Sequence, residues 1–204
     1  MIYLHYEKRK NMPSLKEEMF NAKKIDLMVK SFDCFAEYGL HGTGIRAIGK
    51  FSGCNPATLY TYFKDLDDLL IQSTAYCMTK VEDDFMARAP HNLEELWRFV
   101  DEIPYWSAEK HGKKYRLMYQ IYTHPKYREE GKKFFACVTE RYAEYAKTLE
   151  VPLGIPSEDL TGLIYTMVRA CVHFALFEDE TYLKAQMRSL KTCIALLIDK
   201  NRIK

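Results

Sequence analysis

The sequence has none of the short motifs that carry most nucleophilic, zinc-dependent and phosphate-binding chemistry. GxSxG, GxxxxGK[ST], GxGxxG and HExxH are all absent from its 204 residues, which leaves no acyl-transfer, phosphate-cradling or zinc-protease pattern. Its six histidines fall mostly near turns, where such residues are usually solvated. We predict that the chain is not an enzyme, and an all-helical enzyme is kept as an alternative class.

Closely spaced cysteines are missing as well. The six cysteines are scattered with neither CxxC nor CxxH spacing, which disfavours a zinc site. Most are expected to be small buried apolar residues, and a redox-sensing pair formed in the fold stays open. We predict no metal and no cofactor.

Long hydrophobic runs and alternating strand patterns are also lacking. No stretch approaches the roughly 20 uninterrupted apolar residues of a membrane span, and no basic segment followed by an apolar run and a cleavage site opens the chain. We therefore expect no membrane contact and a cytoplasmic location. Apolar residues recur at helical spacing instead, which predicts an all-α fold.

Charge is small in total, +2, and unevenly distributed. Residues 1–65 hold ten Lys or Arg against seven acids, whereas residues 66–112 hold four against ten. A basic N-terminal segment suits a phosphate backbone, and the acidic block keeps the neighbouring surface away from it. This distribution supports nucleic acid as a partner of the N-terminal part.

The stretch TGIRAIGKFSGCNPATLYTYF, residues 43–63, predicts two short helices joined by a tight turn. Thr43 is expected to cap the first helix, which buries Ile45 and Ile48 and turns Arg46 to the other face. Such a pair can project its second helix into a DNA major groove. It is also a common packing unit, so the pattern alone leaves both interpretations open.

The second helix of this pair has clear start signals. Gly53 supplies the turn, the Asn55 side chain can accept an orphan amide hydrogen bond, and Pro56 suits the first helical position. Leu59 and Phe63 suffice for its buried side. The side chains left to meet something else are Ala57, Thr58, Tyr60, Thr61 and Tyr62.

From Lys24 to Leu70 the chain resembles the DNA-binding domain of the tetracycline-repressor (TetR) family of transcriptional regulators. The resemblance covers about a quarter of the chain, without a gap. The matching positions are Ile25, Phe32, Phe35, Tyr38, Gly39, Thr43, Ile48, Gly53, Ala57, Thr58, Leu59, Tyr60, Tyr62, Phe63 and Leu69. The chain departs at Gly49 and Ser52, where the family usually has alanine, and at Leu66, where it often has a phosphate-contacting lysine.

The resemblance implies an N-terminal three-helix helix-turn-helix DNA-binding domain, residues 14–65, followed by a helical-bundle ligand-binding and dimerisation domain, residues 66–204. Residues 1–13 would form an arm that either reaches DNA or is a solvated tail. The expected partners are double-stranded operator DNA, a small-molecule effector and a second copy of the chain. A repressor released by its effector is the expected function, and a helical protein-interaction module without DNA binding is the other alternative.

Eight residues are assigned to DNA. Base edges or thymine methyl groups are assigned to Ala57, Thr58, Thr61 and Tyr62. Phosphates are assigned to Thr43, Arg46, Tyr60 and Lys64.

Helical spacing continues through the rest of the chain. Helix 1 is predicted to start at a Ser14–Glu17 capping box and to bury Met19, Ile25, Met28, Val29, Phe32 and Phe35. A long helix follows from Leu66, and further helices are expected at 93–110 with a break near Pro104, 113–123, 126–149, 157–177 and 180–201. The heptad Leu183, Met187, Leu190, Ile194 and Leu197 predicts packing along another helix, in the same chain or in a second copy.

Aromatic residues are dense in the middle of the chain, which favours a bulky core or a pocket between helices. Tyr165, Arg169 and His173 lie four apart on one predicted helix and form a polar line. This line faces either a ligand or the dimer partner, and the sequence does not separate the two. The predicted ligand-binding residues are Trp106, Tyr119, Tyr122, Tyr165, Arg169 and His173.

Overall fold

The computed structural model describes residues 15–202, and within them the chain is helical with no strand. The predicted arm and Ser14 of the predicted capping box lie outside the described residues. The helices are α1 Leu15–Tyr38, α2 Ile45–Ser52, α3 Pro56–Tyr62, α4 Leu66–Met86, α5 Leu93–Thr123, a 3₁₀ turn Pro125–Tyr127, α6 Arg128–Leu153, α7 Ser157–Phe177 and α8 Glu180–Arg202. This architecture confirms the predicted all-α fold.

Helix α1 ends where predicted, but its buried face was predicted wrongly. Gly39 follows the last helical residue with φ +76°, a left-handed conformation that favours glycine. Met28, Phe32 and Phe35 are buried as expected, whereas Met19 is 65% exposed and Ile25 and Val29 also lie at the surface. Leu27, Ser31 and Cys34 are buried instead, so the inward stripe is rotated around the helix from the predicted one.

Helix α5 is one continuous helix of 31 residues, so the predicted break near Pro104 and the predicted restart at residue 113 are both wrong. Pro104 lacks the backbone donor that an interior helical residue normally supplies. The helix continues because α5 packs along α7 and is held on one side by the bundle. Gly112 lies at this contact, where an added Cβ would meet the Ala175 carbonyl at 3.7 Å.

Helix α8 uses its heptad inside its own chain. Leu183, Met187, Leu190 and Ile194 are all buried, and α8 packs against α7 and α5. Leu197 is partly buried against the same core. The structure therefore supplies an intramolecular partner for the seam that the sequence left open.

Helix α7 lies at the centre of the bundle, in contact with α5, α6 and α8. Among the described residues it is the helix that has the length and apolar composition of a membrane span. Core helices of water-soluble bundles have the same properties, so this is weak evidence for a membrane location.

Candidate nucleic-acid interface

Thr43 is buried in the loop before α2, where it closes the loop and does not cap the helix. Gly44 is the N-cap residue, with φ −96° and ψ 174°, and no side chain caps the helix. Thr43 is 3% exposed and its Oγ1 donates a 2.7 Å hydrogen bond to the Gly39 carbonyl. The predicted cap is therefore wrong, and the burial argues against the phosphate contact assigned to Thr43.

The turn between α2 and α3 depends on two glycines. Gly53 adopts the left-handed conformation, φ +69°, as the sequence predicts. Gly49 has a different role, because an added Cβ would lie 2.9 Å from the Cys54 carbonyl oxygen and 3.2 Å from the Pro56 ring. The departure from the family pattern at Gly49 thus lets the start of α3 approach α2 closely.

Helix α3 begins as its sequence predicts. Asn55 Oδ1 accepts the Ala57 amide at 2.9 Å, and Pro56 occupies the first helical position. Leu59 is fully buried and Phe63 nearly so. These anchors fix which side of the short helix faces solvent.

The opposite side of α3 presents polar and small side chains to solvent. Ala57 and Thr61 are exposed, Tyr60 is 54% exposed, and Thr58 is half-buried. Tyr62 is also half-buried, because its ring packs on Phe20 of α1 with 4.5 Å between ring centroids. This stacking was not predicted from the sequence, although an aromatic residue early in α1 was an available signal.

Three exposed cations flank α3 in the chain. Arg46 and Lys50 are exposed on α2, and Lys64 is exposed just after α3. Within the described part of the chain, none of the three forms an ion pair with an acid. Their charges are therefore free to meet phosphate groups.

The junction between α3 and α4 is fixed by carboxylates. Asp65 caps α4 by accepting the Asp68 amide at 2.8 Å, and Asp68 accepts the Lys64 amide at 2.9 Å in return. Asp67 accepts hydrogen bonds from Lys126 Nζ and the Tyr127 hydroxyl, both at 2.5 Å.

Lys126 and then Tyr127 hold the pKa of the Asp67 carboxyl below its ordinary value by hydrogen bonding to the ionised form. This contact, the Asp67 latch, joins the first turn of α4 to the turn between α5 and α6. It was not predicted from the sequence, because its members are about 60 positions apart in the chain.

The predicted ligand-binding residues do not form one enclosure. The Trp106 ring lies against Arg88, whose guanidinium carbon is 4.3 Å from the ring centroid, and against His111. Tyr122 is buried on Phe134, with 5.4 Å between ring centroids. These two aromatic residues therefore pack in separate clusters.

The predicted polar line on α7 divides among three neighbouring helices. Arg169 donates a hydrogen bond to the Tyr119 hydroxyl on α5, and Tyr165 bonds to the Thr139 hydroxyl on α6. The His173 ring instead contacts Tyr182 on α8 at 4.9 Å between centroids. The line is a surface feature that joins α7 to its neighbours.

A cavity of about 40 Å³ lies elsewhere in the bundle, where the end of α4 meets α5, α6, α7 and α8. None of the six predicted ligand-binding residues lines it. Its wall is built mainly from aliphatic side chains.

Two buried ionisable groups connect α4 to its neighbours. Burial raises the pKa of Glu82, which accepts a hydrogen bond from the Tyr142 hydroxyl on α6. Burial and the positive charge of Lys114 lower the pKa of His111 on α5 to about 4, although its Nε2 lies 3.5 Å from Asp84. His111 is therefore neutral in the folded chain near pH 7.

Residues 27–72 match the family model described as "Bacterial regulatory proteins, tetR family". No curated protein matches the chain.

Solved structures share its fold at low identity. A TetR transcription regulator from Haloarcula marismortui ATCC 43049 superposes with a TM-score of 0.67 at 16% identity, covering 87% of this chain and 99% of that one. The fatty acid degradation regulator FadR from Bacillus halodurans gives 0.58 at 16% identity, covering 91% and 96%. FadR from Bacillus subtilis, in complex with stearoyl-CoA, gives 0.53 at 18% identity, covering 85% and 97%.

The family match spans α2, α3 and their flanks, and the structural likeness runs along the rest of the chain. Together they confirm the resemblance found in the sequence and indicate a regulator rather than an enzyme. The chain is a DNA-binding transcriptional regulator that has the helix-turn-helix of the TetR family and the TetR-type fold.

Proposed function

We propose that the chain is a homodimeric, cytoplasmic repressor that binds a two-part operator and leaves it when a small molecule binds among α4–α8. The observation that carries this proposal is the division of α3 into a buried side with Leu59 and an outward side with Tyr60 and Thr61. A short helix anchored in this way has the geometry to enter a major groove.

Contacts to bases are assigned to the outward side of α3. Ala57 suits a thymine methyl group, and the hydroxyls of Thr58 and Thr61 suit base edges. Tyr62 is stacked on Phe20, so its hydroxyl edge rather than its ring face is proposed to reach a base. Because α3 contains no Arg or Lys, discrimination between sequences rests on apolar, hydroxyl and shape contacts.

Contacts to phosphates are assigned to Arg46, Tyr60 and Lys64, all of which are exposed. Lys50 on the exposed side of α2 is added to this set, because it is also free of any acid partner among the described residues. Thr43 is removed, since its hydroxyl is buried and bonded to Gly39. These contacts fix the position of α3 on the duplex and carry no sequence information.

Dimerisation is assigned to the outer faces of α7 and α8. The heptad of α8 is already buried within the chain, and the same two helices expose Phe177, Tyr182 and Leu196, of which Leu196 is 64% exposed. Pairing this face with its copy would form a four-helix bundle and present two α3 helices to half-sites about one DNA turn, roughly 34 Å, apart. We expect Phe177→Glu combined with Leu196→Glu to give a monomer in sedimentation analysis.

A role for a small molecule is supported by the Bacillus subtilis relative, which was solved with stearoyl-CoA. A ligand releases DNA only if it binds more tightly to the arrangement whose α3 helices are mis-spaced for the operator. Helix α4 begins four residues after α3 ends, so a shift of α4 would move α3 directly.

The proposal is tested by selecting binding sites from random duplex DNA. We expect an enriched palindrome with two half-sites one turn apart. Thr61→Val, which removes one hydroxyl at nearly constant volume, should change the preferred base at one position of each half-site. Thr148→Val, at an exposed position of α6, is the matched control and should leave the enriched sequence unchanged. No enriched sequence, or a single half-site, would overturn the proposal.

A further inference from the structure

The cavity of about 40 Å³ lies beside the last turn of α4, at the end of that helix that is far from α3. Phe85, in the last turn of α4, forms part of its wall, and α4 spans 21 residues, roughly 30 Å, from α3 to this point. Leu149 of α6, Met167 of α7 and Ile194 of α8 face the same space. With Leu96 of α5 in the wall as well, five helices, α4 to α8, meet around one cavity.

The wall excludes charged and strongly polar occupants. Among the described residues that line the cavity, none is charged and Tyr145 alone carries a polar side-chain group. The Tyr145 hydroxyl already donates a hydrogen bond to the Pro90 carbonyl, so it is not free to bind a ligand. An ion or an unpaired polar group placed here would lose its hydration without compensation.

The size of the cavity limits the shape of an apolar occupant. A cavity that binds benzene has a volume of about 150 Å³, and one water needs about 10–15 Å³. The present volume, about 40 Å³, accommodates a few methylene groups but not an aromatic ring. Met86 and Met167 in the wall have flexible, unbranched side chains that can move to admit more carbons.

We infer that this cavity binds the saturated hydrocarbon chain of a small molecule, through the contact surface that Phe85, Leu149, Leu163 and Met167 provide. Leu163, Met86 and Tyr145 are half-buried, so the wall reaches the surface at these side chains and a headgroup stays outside. The identification of this molecule as the effector rests on the proposed function. The binding of its hydrocarbon chain does not depend on that function. Entry of the hydrocarbon chain displaces the side chains of Phe85 and Met86, which moves the end of α4.

The hydrocarbon chain can belong to a neutral alcohol, a carboxylate or an acyl thioester. Calorimetric titration with 1-octanol, octanoate and octanoyl-CoA distinguishes these sources. We expect 1-octanol to bind the full-length protein. A carboxylate or thioester that binds more tightly than the alcohol identifies the headgroup preferred at the mouth.

Two variants change the cavity in opposite directions. Leu163→Trp fills it and should weaken octanol binding at least about tenfold. Leu149→Ala enlarges it and should strengthen binding of the same probe. Val151→Trp, on α6 at a position that is 91% exposed and not part of the wall, is the control and should bind as the unmodified protein does.

The inference is overturned if none of the three probes binds the unmodified protein, or if Leu163→Trp binds octanol as tightly as the control does. Leu149→Ala keeps the test decisive should the tryptophan variant fold poorly. Binding of the selected operator is measured in parallel. Octanol binding with no loss of operator binding contradicts the effector role and leaves the site intact, whereas operator binding without any probe binding contradicts the site alone.

Discussion

Helices α1–α3 carry their proposed functional side chains on the outside of their core, whereas helices α4–α8 enclose their proposed ligand site within theirs. In α3, fully buried Leu59 is followed by Tyr60, which is 54% exposed, so the DNA-facing side chains point into solvent. In α4–α8 the proposed ligand site lies inside, and five helices build its wall. An outward site follows from the residue spacing of one helix, whereas an inward site depends on how several long helices meet.

The largest expected effect separates core from surface within α3. Leu59→Ala should reduce the free energy of unfolding of α1–α3 by about 2–5 kcal/mol, because it leaves a cavity at a fully buried position. Its neighbour is the matched control: Tyr60→Ala should change stability by less than about 0.5 kcal/mol yet weaken DNA binding. Hydrogen exchange of the backbone amides and gel-shift titration measure the two effects.

This pair of variants also tests whether the two regions are independent. Exchange in α5–α7 should stay slow in Leu59→Ala while α1–α3 become unprotected. Loss of protection throughout the chain would show instead that the two regions unfold as one unit.

Local signals predicted the helix-turn-helix well. The Gly53 turn and the Asn55–Pro56 start depend on backbone conformation and on neighbours within a few residues, and both were confirmed. Thr43 was misassigned because its hydroxyl had two nearby partners, a free amide of α2 and the Gly39 carbonyl. The closure of the loop, which the sequence does not give, decided between them.

Long-range packing explains what the sequence did not reveal in α4–α8. A proline inside a helix, such as Pro104, normally kinks or ends it, but contact with α7 keeps α5 continuous. The conspicuous aromatic residues pack on one another and on cations, as Trp106 does with Arg88, and so fill space. The cavity is lined instead mainly by ordinary leucine, isoleucine and methionine side chains, whose spacing looks like any helical core.

The next effect concerns a buried group in the second region. Since the pKa of His111 is about 4 when folded and near 6.5 when unfolded, the unfolded chain takes up the proton first as the pH falls. Stability should therefore decline between about pH 6.5 and pH 4, by about 1–3 kcal/mol from this residue. The His111→Gln variant lacks this titrating group. Its stability, measured by urea unfolding, should therefore vary less with pH over that range.

An unchanged pH profile in His111→Gln would show that the imidazole has the same pKa in the folded chain as in the unfolded chain. His91→Gln is the control, because His91 is exposed. It should leave the profile as in the unmodified protein.

A smaller effect tests the connection between the two regions. Asp67→Asn removes the charge that binds Lys126 and Tyr127, and the partly exposed contact should contribute less than about 1 kcal/mol to stability. Because the Asp67 latch joins two segments, hydrogen exchange should become faster both at residues 66–70 and at residues 124–127.

Glu129→Gln is the matched control for the latch, since it breaks an ion pair with Lys132 inside α6 alone. It should leave exchange at residues 66–70 unchanged. Faster exchange at just one of the two segments in Asp67→Asn would mean that the latch does not couple them.

The smallest expected effect concerns one charge on the outward surface. Lys64→Met should weaken binding to all DNA sequences about equally and lower the slope of log affinity against log salt by about one ion, because one phosphate contact is lost. Lys147→Met, whose lysine pairs with Glu144 on α6, should leave the slope unchanged. A loss confined to one DNA sequence would assign Lys64 to a base, and the outward surface would then read sequence through a cation as well as through α3.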